Sequence, residues 1–157
     1  MKKQLSKSEI KSLNEELLQQ FKLTDFFSRK DRIEIAESDH TLFILHDSKP
    51  LFFYFEGKLI PMLRLLLERA TLLKQVVVDM GAVKFVTSGA DVMRPGIVDL
   101  DHSIKKDELI VIVDETHKKP LAVGKALFSG EDIFRMDKGK VILILHYVGD
   151  KYWNAVL

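Results

Sequence analysis

Residues 76–101 read VVVDMGAVKFVTSGADVMRPGIVDLD, and this stretch decides the fold of the second half of the chain. Val76–Asp79 is a β-branched run that favours a strand, and its last residue is a carboxylate that can cap a short helix. Gly89 suits the left-handed position that often ends a helix. Val92–Val98 has strand character but contains Pro95, which restricts it to an edge strand or a bulge. The stretch therefore predicts a strand, a short helix, a loop of small residues and an edge strand.

The chain beyond residue 101 reads as further short strands separated by polar turns. Ser129 is placed to cap a second short helix. Gly149-Asp150 supplies turn chemistry for a closing hairpin. The predicted strands are Glu108–Asp114, Pro120–Leu127, Val141–Tyr147 and Tyr152–Val156. Short strands in this number, together with two short helices, indicate a small, partly closed β-barrel.

The first half of the chain predicts a small mixed domain. Ser6 and Glu9 have the spacing of a capping box, and apolar residues recur after them with helical spacing. Pro61 suits the first turn of a second helix, which we expect to run to Lys74. The strands expected between the helices are Ile33–Ala36, Thr41–His46 and Leu51–Phe55. Composition shifts after this second helix, so we predict an α+β fold with domains at residues 1–74 and 75–157.

Overall composition places the chain among globular proteins. Of its 157 residues, 46% are hydrophobic and 30% are charged, and the formal net charge is +1. Residues 1–75 hold 13 Lys and Arg against 11 Asp and Glu, whereas residues 76–157 hold 11 against 12. Bulk charge gives no signature of nucleic-acid binding, so such a function has to rest on a local patch. The absence of cysteine excludes disulfides and thiolate metal sites.

Membrane insertion and export are not expected from the sequence. The most apolar region, residues 59–73 (LIPMLRLLLERATLL), is interrupted by Arg64, Glu68 and Arg69, which is incompatible with a transmembrane helix. The N-terminal residues include lysines but no apolar core of the length found in signal peptides. We therefore expect a soluble protein of the cytoplasm.

The sequence offers little evidence of catalysis or metal binding. Its histidines are scattered, and His46 and His146, at the ends of apolar strands, are better explained as packed, hydrogen-bonded side chains than as metal ligands. Ser88 does not lie in the G-x-S-x-G pattern of a nucleophile elbow. One acidic cluster could bind a cation or perform acid–base chemistry, although a solvated loop is the safer interpretation. It consists of Asp99, Asp101, Asp107 and Glu108. We therefore do not expect an enzyme.

The loop after the predicted helix has features of a phosphate-binding surface. Thr87–Ala90 carries almost no side-chain bulk, so another backbone, such as a sugar–phosphate chain, can approach the main-chain N–H groups. Arg94 offers a planar guanidinium suited to phosphate, and Lys84 can line the same rim from the helix. The alternative is that Gly89 only ends the helix and Gly96 only forms a bulge. Local features alone favour this second interpretation.

The stretch at residues 76–101 resembles the opening of a PUA domain, the RNA-binding module named after pseudouridine synthases and archaeosine transglycosylases. Two further segments agree with that family in order and spacing: KPLAVGKALFSGEDI (residues 119–133) and GKVILILHYVGDKYW (residues 139–153). The block KLIPMLRLLLERATLLKQ (residues 58–75) is similar to the pre-PUA domain of the malignant-T-cell-amplified-sequence family of translation factors and its archaeal relatives. The resemblance implies a small α+β N-terminal domain followed by a PUA pseudo-barrel of short, mostly antiparallel strands with two short helices.

The resemblance also implies where RNA binds. In PUA domains, RNA lies against the loop between the first helix and the next strand, with help from the last strands. Carried onto this sequence, with the helix lysine added, the expected RNA-binding residues are Lys84, Thr87, Ser88, Gly89, Ala90, Arg94, Pro95, Gly96, His146 and Tyr147. The acidic stretch 99–115 follows this loop directly, so basic residues have to gather in space, and whether the acidic stretch regulates RNA access is left open. The basic candidates are Lys84, Arg94, Lys118, Lys119, Lys125, Arg135, Lys138 and Lys140.

For function, the resemblance implies RNA binding without catalysis in the translation apparatus. Eukaryotic relatives act on the small ribosomal subunit in initiation and recycling, with a partner protein that bears an initiation-factor-like domain. We therefore expect docking on structured RNA, either small-subunit rRNA or tRNA, with no cofactor, no membrane and no DNA. Two alternatives stay open: a PUA-bearing accessory subunit of an RNA-modifying enzyme, and a ribosome biogenesis factor.

Overall fold

The computed structural model describes residues 1–157 and shows a mixed α+β protein with four α-helices and two sheets. The chain forms two compact units, one of residues 1–62 and 155–157 and the other of residues 63–154. The α+β fold class that the sequence predicts is confirmed. The domain boundary after residue 74, inferred from composition, stays a prediction.

The first unit combines one helix with an antiparallel sheet. The helix, α1, spans Lys7–Phe21, and its apolar face is buried. The predicted capping box is present, because the Ser6 hydroxyl accepts the Glu9 N–H at 3.2 Å and the Glu9 carboxylate accepts the Ser6 N–H at 2.9 Å. In their order across the sheet, the strands are β1 (Lys2–Gln4), β2 (Ile33–Ser38), β3 (Thr41–His46), β4 (Lys49–Phe55) and β5 (Lys58–Pro61).

Two of these five strands are absent from the sequence prediction. β1 has only three residues, which is too few to show a pattern. β5 occupies the place where a helix was expected to begin. Glu56 and Gly57 have φ values of 49° and 77°, and this pair of positive values turns the chain into a hairpin. Pro61 therefore lies in an edge strand opposite Phe52, where one side of the backbone has no ladder partner and proline is tolerated.

The second unit is a six-stranded sheet curled into a half-barrel with three α-helices. The strands are β6 (Lys74–Val78), β7 (Val92–Met93), β8 (Ile97–Leu100), β9 (Leu109–Asp114), β10 (Pro120–Ala126) and β11 (Lys140–Tyr147). The helices are α2 (Leu63–Glu68), α3 (Met80–Val86) and α4 (Gly130–Arg135), and a 3-10 turn spans Arg94–Gly96. The order across the sheet is β7-β11-β10-β9-β6-β8. Every neighbouring pair is antiparallel except β6 and β9, which are parallel.

The middle strands of this sheet are apolar on both faces. In β6 and β9, alternate residues join one core cluster, and the residues between them are buried as well. The first set is Val76, Val78, Ile110 and Ile112, and the second is Val77, Val111 and Val113. Continuous apolar runs of this kind are typical of strands that are covered on both faces. The buried strands place the end of β6 beside the end of β9, with Val78 opposite Asp114.

Several element boundaries of this unit differ from the sequence prediction. The second helix ends at Glu68 and does not reach Lys74, because Lys74 begins β6 and pairs with Ile110. The expected strand Val92–Val98 is divided by the 3-10 turn, with Pro95 inside that turn, into β7 and β8. These two short strands form the two edges of the sheet, so the prediction of an edge position is confirmed.

The predicted closing strand Tyr152–Val156 is wrong. Residues 151–154 form turns, because the Asp150 carboxylate accepts the N–H of Trp153 at 2.8 Å and that of Tyr147 at 2.9 Å. The backbone carbonyl of Asp150 also accepts the N–H of Asn154 at 3.0 Å. These hydrogen bonds wind the chain after β11 and leave no extended segment to pair with it.

Candidate nucleic-acid interface

One end of the half-barrel brings together most of the predicted RNA-binding residues. The register places Val78 of β6 beside Asp114 of β9, and Ala122 of β10 opposite Tyr147 of β11. The turn between β9 and β10 therefore leaves the sheet at the same end as Tyr147. We call this end the α3 edge, and it comprises residues 79–90, 114–119 and 147–151.

α3 crosses the strand ends at the α3 edge. It begins directly after β6, where the Asp79 carboxylate accepts the N–H of Ala82 at 2.8 Å, so the predicted cap is confirmed. The loop after the helix reaches β11, because a Cβ atom added to Gly89 would lie 2.7 Å from the ring of Tyr147. The helix thus runs from the end of β6 toward the end of β11.

The outward face of α3 combines a cation with apolar side chains. Lys84 and Ser88 are exposed, and Met80 and Phe85 of the same helix are 48% and 58% exposed. The Lys84 ammonium lies 5.2 Å from the centroid of the Phe85 ring. Sequence analysis missed Met80 and Phe85 because apolar residues at helical spacing are usually core residues. The spacing of four residues puts Met80 and Lys84 on one face of the helix, and Phe85, the next residue, extends the exposed surface around the helix.

The backbone of the loop is not available for phosphate, in contrast to the expectation from its small residues. The N–H groups of Ser88 and Ala90 donate to the carbonyl of Phe85 at 3.1 and 3.0 Å, and that of Gly89 donates to Val86 at 3.0 Å. The Ser88 hydroxyl also donates to the Lys84 carbonyl, at 2.7 Å. These donors bond to free carbonyls at the end of the helix. A ligand therefore meets side chains and hydroxyl oxygens here.

Thr87 is held in the same way as Ser88. Its N–H donates to the Val83 carbonyl at 2.9 Å, and its hydroxyl donates to the same carbonyl at 3.0 Å. Thr87 is half-buried, whereas Ser88 and Ala90 are exposed. Of the four small residues of the loop, two therefore present their side chains fully to solvent.

Gly89 makes room for Tyr147. Its φ of 89° lies in the left-handed region, as the sequence predicts, and a Cβ atom here would lie 2.7 Å from Cε1 and 3.0 Å from Cζ of Tyr147. The Tyr147 ring is partly buried against the core cluster of the half-barrel. The glycine thus permits a close contact between the α3 loop and the end of β11, and the small residue serves the protein's own packing.

The guanidinium of Arg94 is hydrogen-bonded to backbone carbonyls of the protein itself. Its Nε donates to the Ile133 carbonyl at 2.6 Å, Nη1 to the Ile97 carbonyl at 3.2 Å and Nη2 to the Phe134 carbonyl at 3.4 Å. The planar fork that the sequence assigns to phosphate therefore joins the 3-10 turn to β8 and α4. A charged donor bonded to three carbonyls is a strong anchor.

Pro95 and Gly96 follow Arg94 in the 3-10 turn, and Gly96 packs against α3. Pro95 is exposed in the 3-10 turn. A Cβ atom added to Gly96 would lie 3.3 Å from the Cβ of Ala82, and the Gly96 carbonyl accepts the N–H of Asp79 at 2.9 Å. Gly96 thus allows α3 to approach the turn closely, and a side chain at this position would press on Ala82.

His146, which the resemblance places among the RNA-binding residues, has a fully buried side chain in the structure. The imidazole Nε2 accepts the N–H of Leu63 at 3.1 Å, so the proton lies on Nδ1, which donates to the Asp150 carboxylate at 2.9 Å. The interpretation of His146 as a packed, hydrogen-bonded side chain at a strand end is therefore correct. The H-x-x-x-D spacing that joins it to Asp150 was not recognised in the sequence.

Asp150 fixes the end of β11. Burial raises the pKa of its carboxyl, but hydrogen bonds from His146 and from the N–H groups of Trp153 and Tyr147 more than offset this, so the pKa lies below its usual value. Because one of these donors is the N–H of Tyr147, the carboxylate also positions the backbone of the residue that covers Gly89.

Charges are separated across the half-barrel. At the α3 edge, Lys84, Lys118, Lys119 and Lys151 make no ion pair. The aspartates of this edge, Asp79, Asp114 and Asp150, turn their carboxylates to backbone N–H groups. Glu115 is the one exposed carboxylate of this edge. The outward charge of the α3 edge is therefore positive.

The acidic cluster lies at the opposite end of the strands. Asp101 donates its N–H to Gln75 near the start of β6, and Glu108 precedes β9 and pairs with Lys74 at 3.2 Å. The hydroxyl and the N–H of Ser103 hold the pKa of Asp101 below its usual value. The sequence places these acids directly after the candidate loop, but the direction of β8 carries them away from it.

The eight basic candidates do not all gather at one place. Lys84, Lys118 and Lys119 lie on the α3 edge. Arg94 is anchored internally, Lys140 pairs with Asp91 at 3.5 Å and Arg135 with Glu131 at 3.8 Å. Lys125, Lys138 and Lys140 lie toward the other ends of β10 and β11.

Two further findings concern metal ions and membranes. No group of three or more His, Asp or Glu side chains is arranged to hold a metal ion. No helix of the protein combines the length and the apolar character that crossing a membrane requires.

The contact between Gly89 and Tyr147 can be tested by a double-mutant cycle. We expect Gly89→Ala to lower the free energy of unfolding by about 2–4 kcal/mol, because the new Cβ is strained at positive φ and meets the ring. In a Tyr147→Ala background the cost should fall to about 1–2 kcal/mol, since only the backbone strain remains. Urea unfolding of the four proteins measures both values. Equal costs in the two backgrounds would contradict the contact.

Asp150 should make stability depend on pH. Its folded-state pKa lies below the unfolded value of about 3.9, so its contribution is present above that pH and is lost as pH falls through the folded pKa. We expect Asp150→Asn to lose about 1–3 kcal/mol at pH 7 and to show a shallower decline below about pH 4. Asp137→Asn, at an exposed position, is the control. Urea unfolding between pH 7 and pH 3 tests this, and a variant that declines as steeply as the natural protein would refute it.

Comparison with protein-family models identifies both parts of the chain. Residues 74–148 match the PUA domain, and residues 2–69 match a domain of unknown function, DUF1947. Among solved structures, a hypothetical protein from Pyrococcus horikoshii is 34% identical with a TM-score of 0.82, and the alignment covers 98% of each chain. A chain from an H/ACA RNP bound to a substrate RNA is 28% identical with a TM-score of 0.50, over 64% of this chain and 30% of that one.

Full-length relatives agree with these matches. An uncharacterized protein of Methanocaldococcus jannaschii is 48% identical, over 96% of this chain and 93% of its own length. Translation machinery-associated protein 20 of Schizosaccharomyces pombe is 33% identical, over 86% of this chain and 78% of its own length. Malignant T-cell-amplified sequence 1 of Rattus norvegicus is 34% identical, over 96% and 88%. The chain therefore belongs to the PUA-domain family that contains the malignant T-cell-amplified sequence and translation machinery-associated 20 proteins.

Proposed function

We propose that this protein is a non-catalytic RNA-binding protein of the translation apparatus, which docks its α3 edge on small-subunit rRNA or tRNA during initiation or recycling. The observation that carries the proposal is the separation of charge in the PUA half. Lysines face outward at the α3 edge while its aspartates bond to backbone N–H groups. Phosphates of RNA are attracted to such an edge even though the whole chain is close to neutral.

The outward face of α3 supplies the direct contacts in this proposal. Lys84 meets a phosphate, and the exposed Phe85 and Met80 offer apolar surface to a base or a ribose. Ser88 and Ala90 line the same surface, and the oxygen of Ser88 is free to accept a hydrogen bond from a 2′-hydroxyl. The main-chain N–H groups of the loop are occupied, so phosphate contacts depend on side-chain charge and should be sensitive to salt.

The remaining candidate RNA-binding residues hold this surface in place through contacts inside the protein. Tyr147 packs on Gly89 and holds the loop, and Thr87 is bonded back to the helix. Arg94 joins the 3-10 turn to α4, and Gly96 lets α3 settle on that turn. With Pro95 exposed beside them, these residues act by placing Lys84 and Phe85. We propose an initiation-factor-like protein as the partner of this RNA-bound form, on the basis of the family.

The names of the relatives support a role in translation. Two are described as translation machinery-associated protein 20 and malignant T-cell-amplified sequence 1, and this chain matches most of the length of each. Because the alignments cover both halves of the chain, the relationship extends beyond the PUA domain, which occurs in proteins of several functions.

A second candidate function is an accessory role in RNA modification. It is favoured by the similarity to a chain from an H/ACA RNP bound to a substrate RNA. The similarity covers about a third of that chain, so this protein would supply an RNA-binding arm while another chain supplied the active site. Ultraviolet crosslinking in cells, followed by sequencing of the attached RNA, separates the two functions. Reads on small-subunit rRNA support translation, and reads on tRNA modification sites or guide RNA support the second candidate.

The RNA surface is tested by reversing one charge. We expect Lys84→Glu to weaken binding to purified small ribosomal subunits at least about 10-fold, because the change removes one phosphate contact and adds repulsion. Lys106→Glu makes the same change of charge in the exposed loop before β9, at the opposite end of the strands, and should bind like the natural protein. Sedimentation binding curves at two salt concentrations measure both. Equal weakening by the two variants would show that net charge matters and that the α3 edge does not.

A further inference from the structure

The turn between β9 and β10 is longer than the topology requires. Residues 115–119 read Glu-Thr-His-Lys-Lys, and all five are exposed. Two antiparallel strands can be joined by two residues, so this connection carries three more residues than a tight hairpin needs. Its extra length brings a histidine and two lysines to the surface.

The backbone N–H groups of this turn are all hydrogen-bonded within the protein. Asp114 is buried, and its carboxylate accepts the N–H of His117 at 2.6 Å, of Thr116 at 2.9 Å and of Lys119 at 3.1 Å. The N–H of Lys118 donates to the Asp114 carbonyl at 3.0 Å, and that of Glu115 to Val78 at 3.0 Å. Every N–H of the five residues is therefore occupied, and the turn is held in one conformation.

A carboxylate with this many donors stays ionised. The N–H of His117, followed by those of Lys119 and Thr116, lowers the pKa of Asp114 below its usual value against the opposing effect of burial. The carboxylate keeps its negative charge, directs it at backbone N–H groups and forms no ion pair with Lys118 or Lys119.

The cations of the turn have no carboxylate partner. Neither Lys118 nor Lys119 forms an ion pair, and the one polar contact of the Lys118 ammonium is the Glu115 carbonyl at 3.4 Å. By contrast, Lys74 and Lys140 of the same half-barrel are paired with acids. The turn therefore presents two ammonium groups that form no ion pair, together with one exposed carboxylate, Glu115.

The position of the turn relates it to α3. The N–H of Glu115 bonds to Val78, and α3 begins two residues later in the chain, at Met80. β11, which carries Tyr147, is two strands away from β9, or about 10 Å at the usual strand spacing. The turn thus projects between the beginning of α3 and the Tyr147 contact, beside the helix that carries Lys84.

We propose that the β9–β10 turn is a second phosphate-binding element, in which Lys118 and Lys119 contact the RNA backbone next to the part of the RNA that lies on α3. The inference rests on the proposed function and assigns a contact to two of the eight basic residues that the sequence offers only as possible members of a patch. A backbone held by Asp114 loses little freedom on binding, which favours contact by a turn of this kind.

A substitution that keeps the fold tests the proposal. Lys118 has a φ of 55°, which glycine adopts more readily than lysine does, so Lys118→Gly removes the charge without straining the turn. We expect Lys118→Gly to weaken binding to purified small ribosomal subunits roughly 5- to 10-fold at 0.1 M salt and to lower the slope of log K against log salt by about 1. Lys106→Gly, at the opposite end of the strands, is the matched control.

The outcomes separate this proposal from the proposed function. If Lys84→Glu weakens binding and Lys118→Gly does not, the turn is not an RNA contact, and the α3 surface stands. If the natural protein does not bind, or neither Lys84→Glu nor Lys118→Gly changes its binding, the proposed function fails as well. Thermal melting of Lys118→Gly should match or exceed that of the natural protein. Weaker binding with an unchanged salt slope would overturn the phosphate contact.

Discussion

The hydrogen bonds that converge on Asp150 hold the candidate interface together. The carboxylate accepts Nδ1–H of His146 and two backbone N–H groups, and the other nitrogen of His146 accepts the N–H of Leu63. One buried pair thus ties the end of β11 to the start of α2 and to the C-terminal turn. Removing either partner leaves buried polar groups without bonds, which is more costly than the net gain from any one of them.

The hydrogen-bonded pair His146 and Asp150 also determines how the residues of the surface are held. Tyr147 follows His146 directly, and its ring allows only a glycine at position 89. That contact fixes the loop after α3, while Arg94 and Gly96 fix the other side of the helix. The exposed face of α3 therefore lies on a scaffold in which each support is buried or hydrogen-bonded, and Lys84 and Phe85 need little reorganisation to meet a ligand.

The sequence alone predicts much of this fold and less of the site. The capping residues Ser6 and Asp79, the β-branched strands and the family resemblance lead to the observed α+β architecture. The short strands β1 and β5 and the turn after β11 depend on hydrogen bonds between distant residues or on positive φ values, which leave no periodic pattern. Thr87–Ala90 and Arg94 were correctly seen as unusual. The small size of Gly89 makes room for Tyr147, and the guanidinium of Arg94 is bonded to carbonyls of α4. Only these contacts reveal that both residues serve internal packing.

Distance along the sequence also does not show which charged residues lie near one another in the fold. The acidic residues near position 100 follow the loop closely in the chain, but β8 carries them to the other end of the strands. The lysines of residues 118–119 are distant in sequence and lie on the α3 edge. A net charge of +1 thus hides an edge of the half-barrel at which exposed lysines outnumber the one exposed carboxylate, Glu115. Electrostatic attraction depends on this local arrangement more than on the total.

Ultraviolet crosslinking of the protein to purified small ribosomal subunits, with mass spectrometry of the RNA-bound peptides, tests the central claim most directly. The account predicts crosslinks within residues 80–90, because the exposed side chains of this segment form the surface against which the RNA lies. Crosslinks confined to residues 99–108, at the opposite end of the strands, would contradict it.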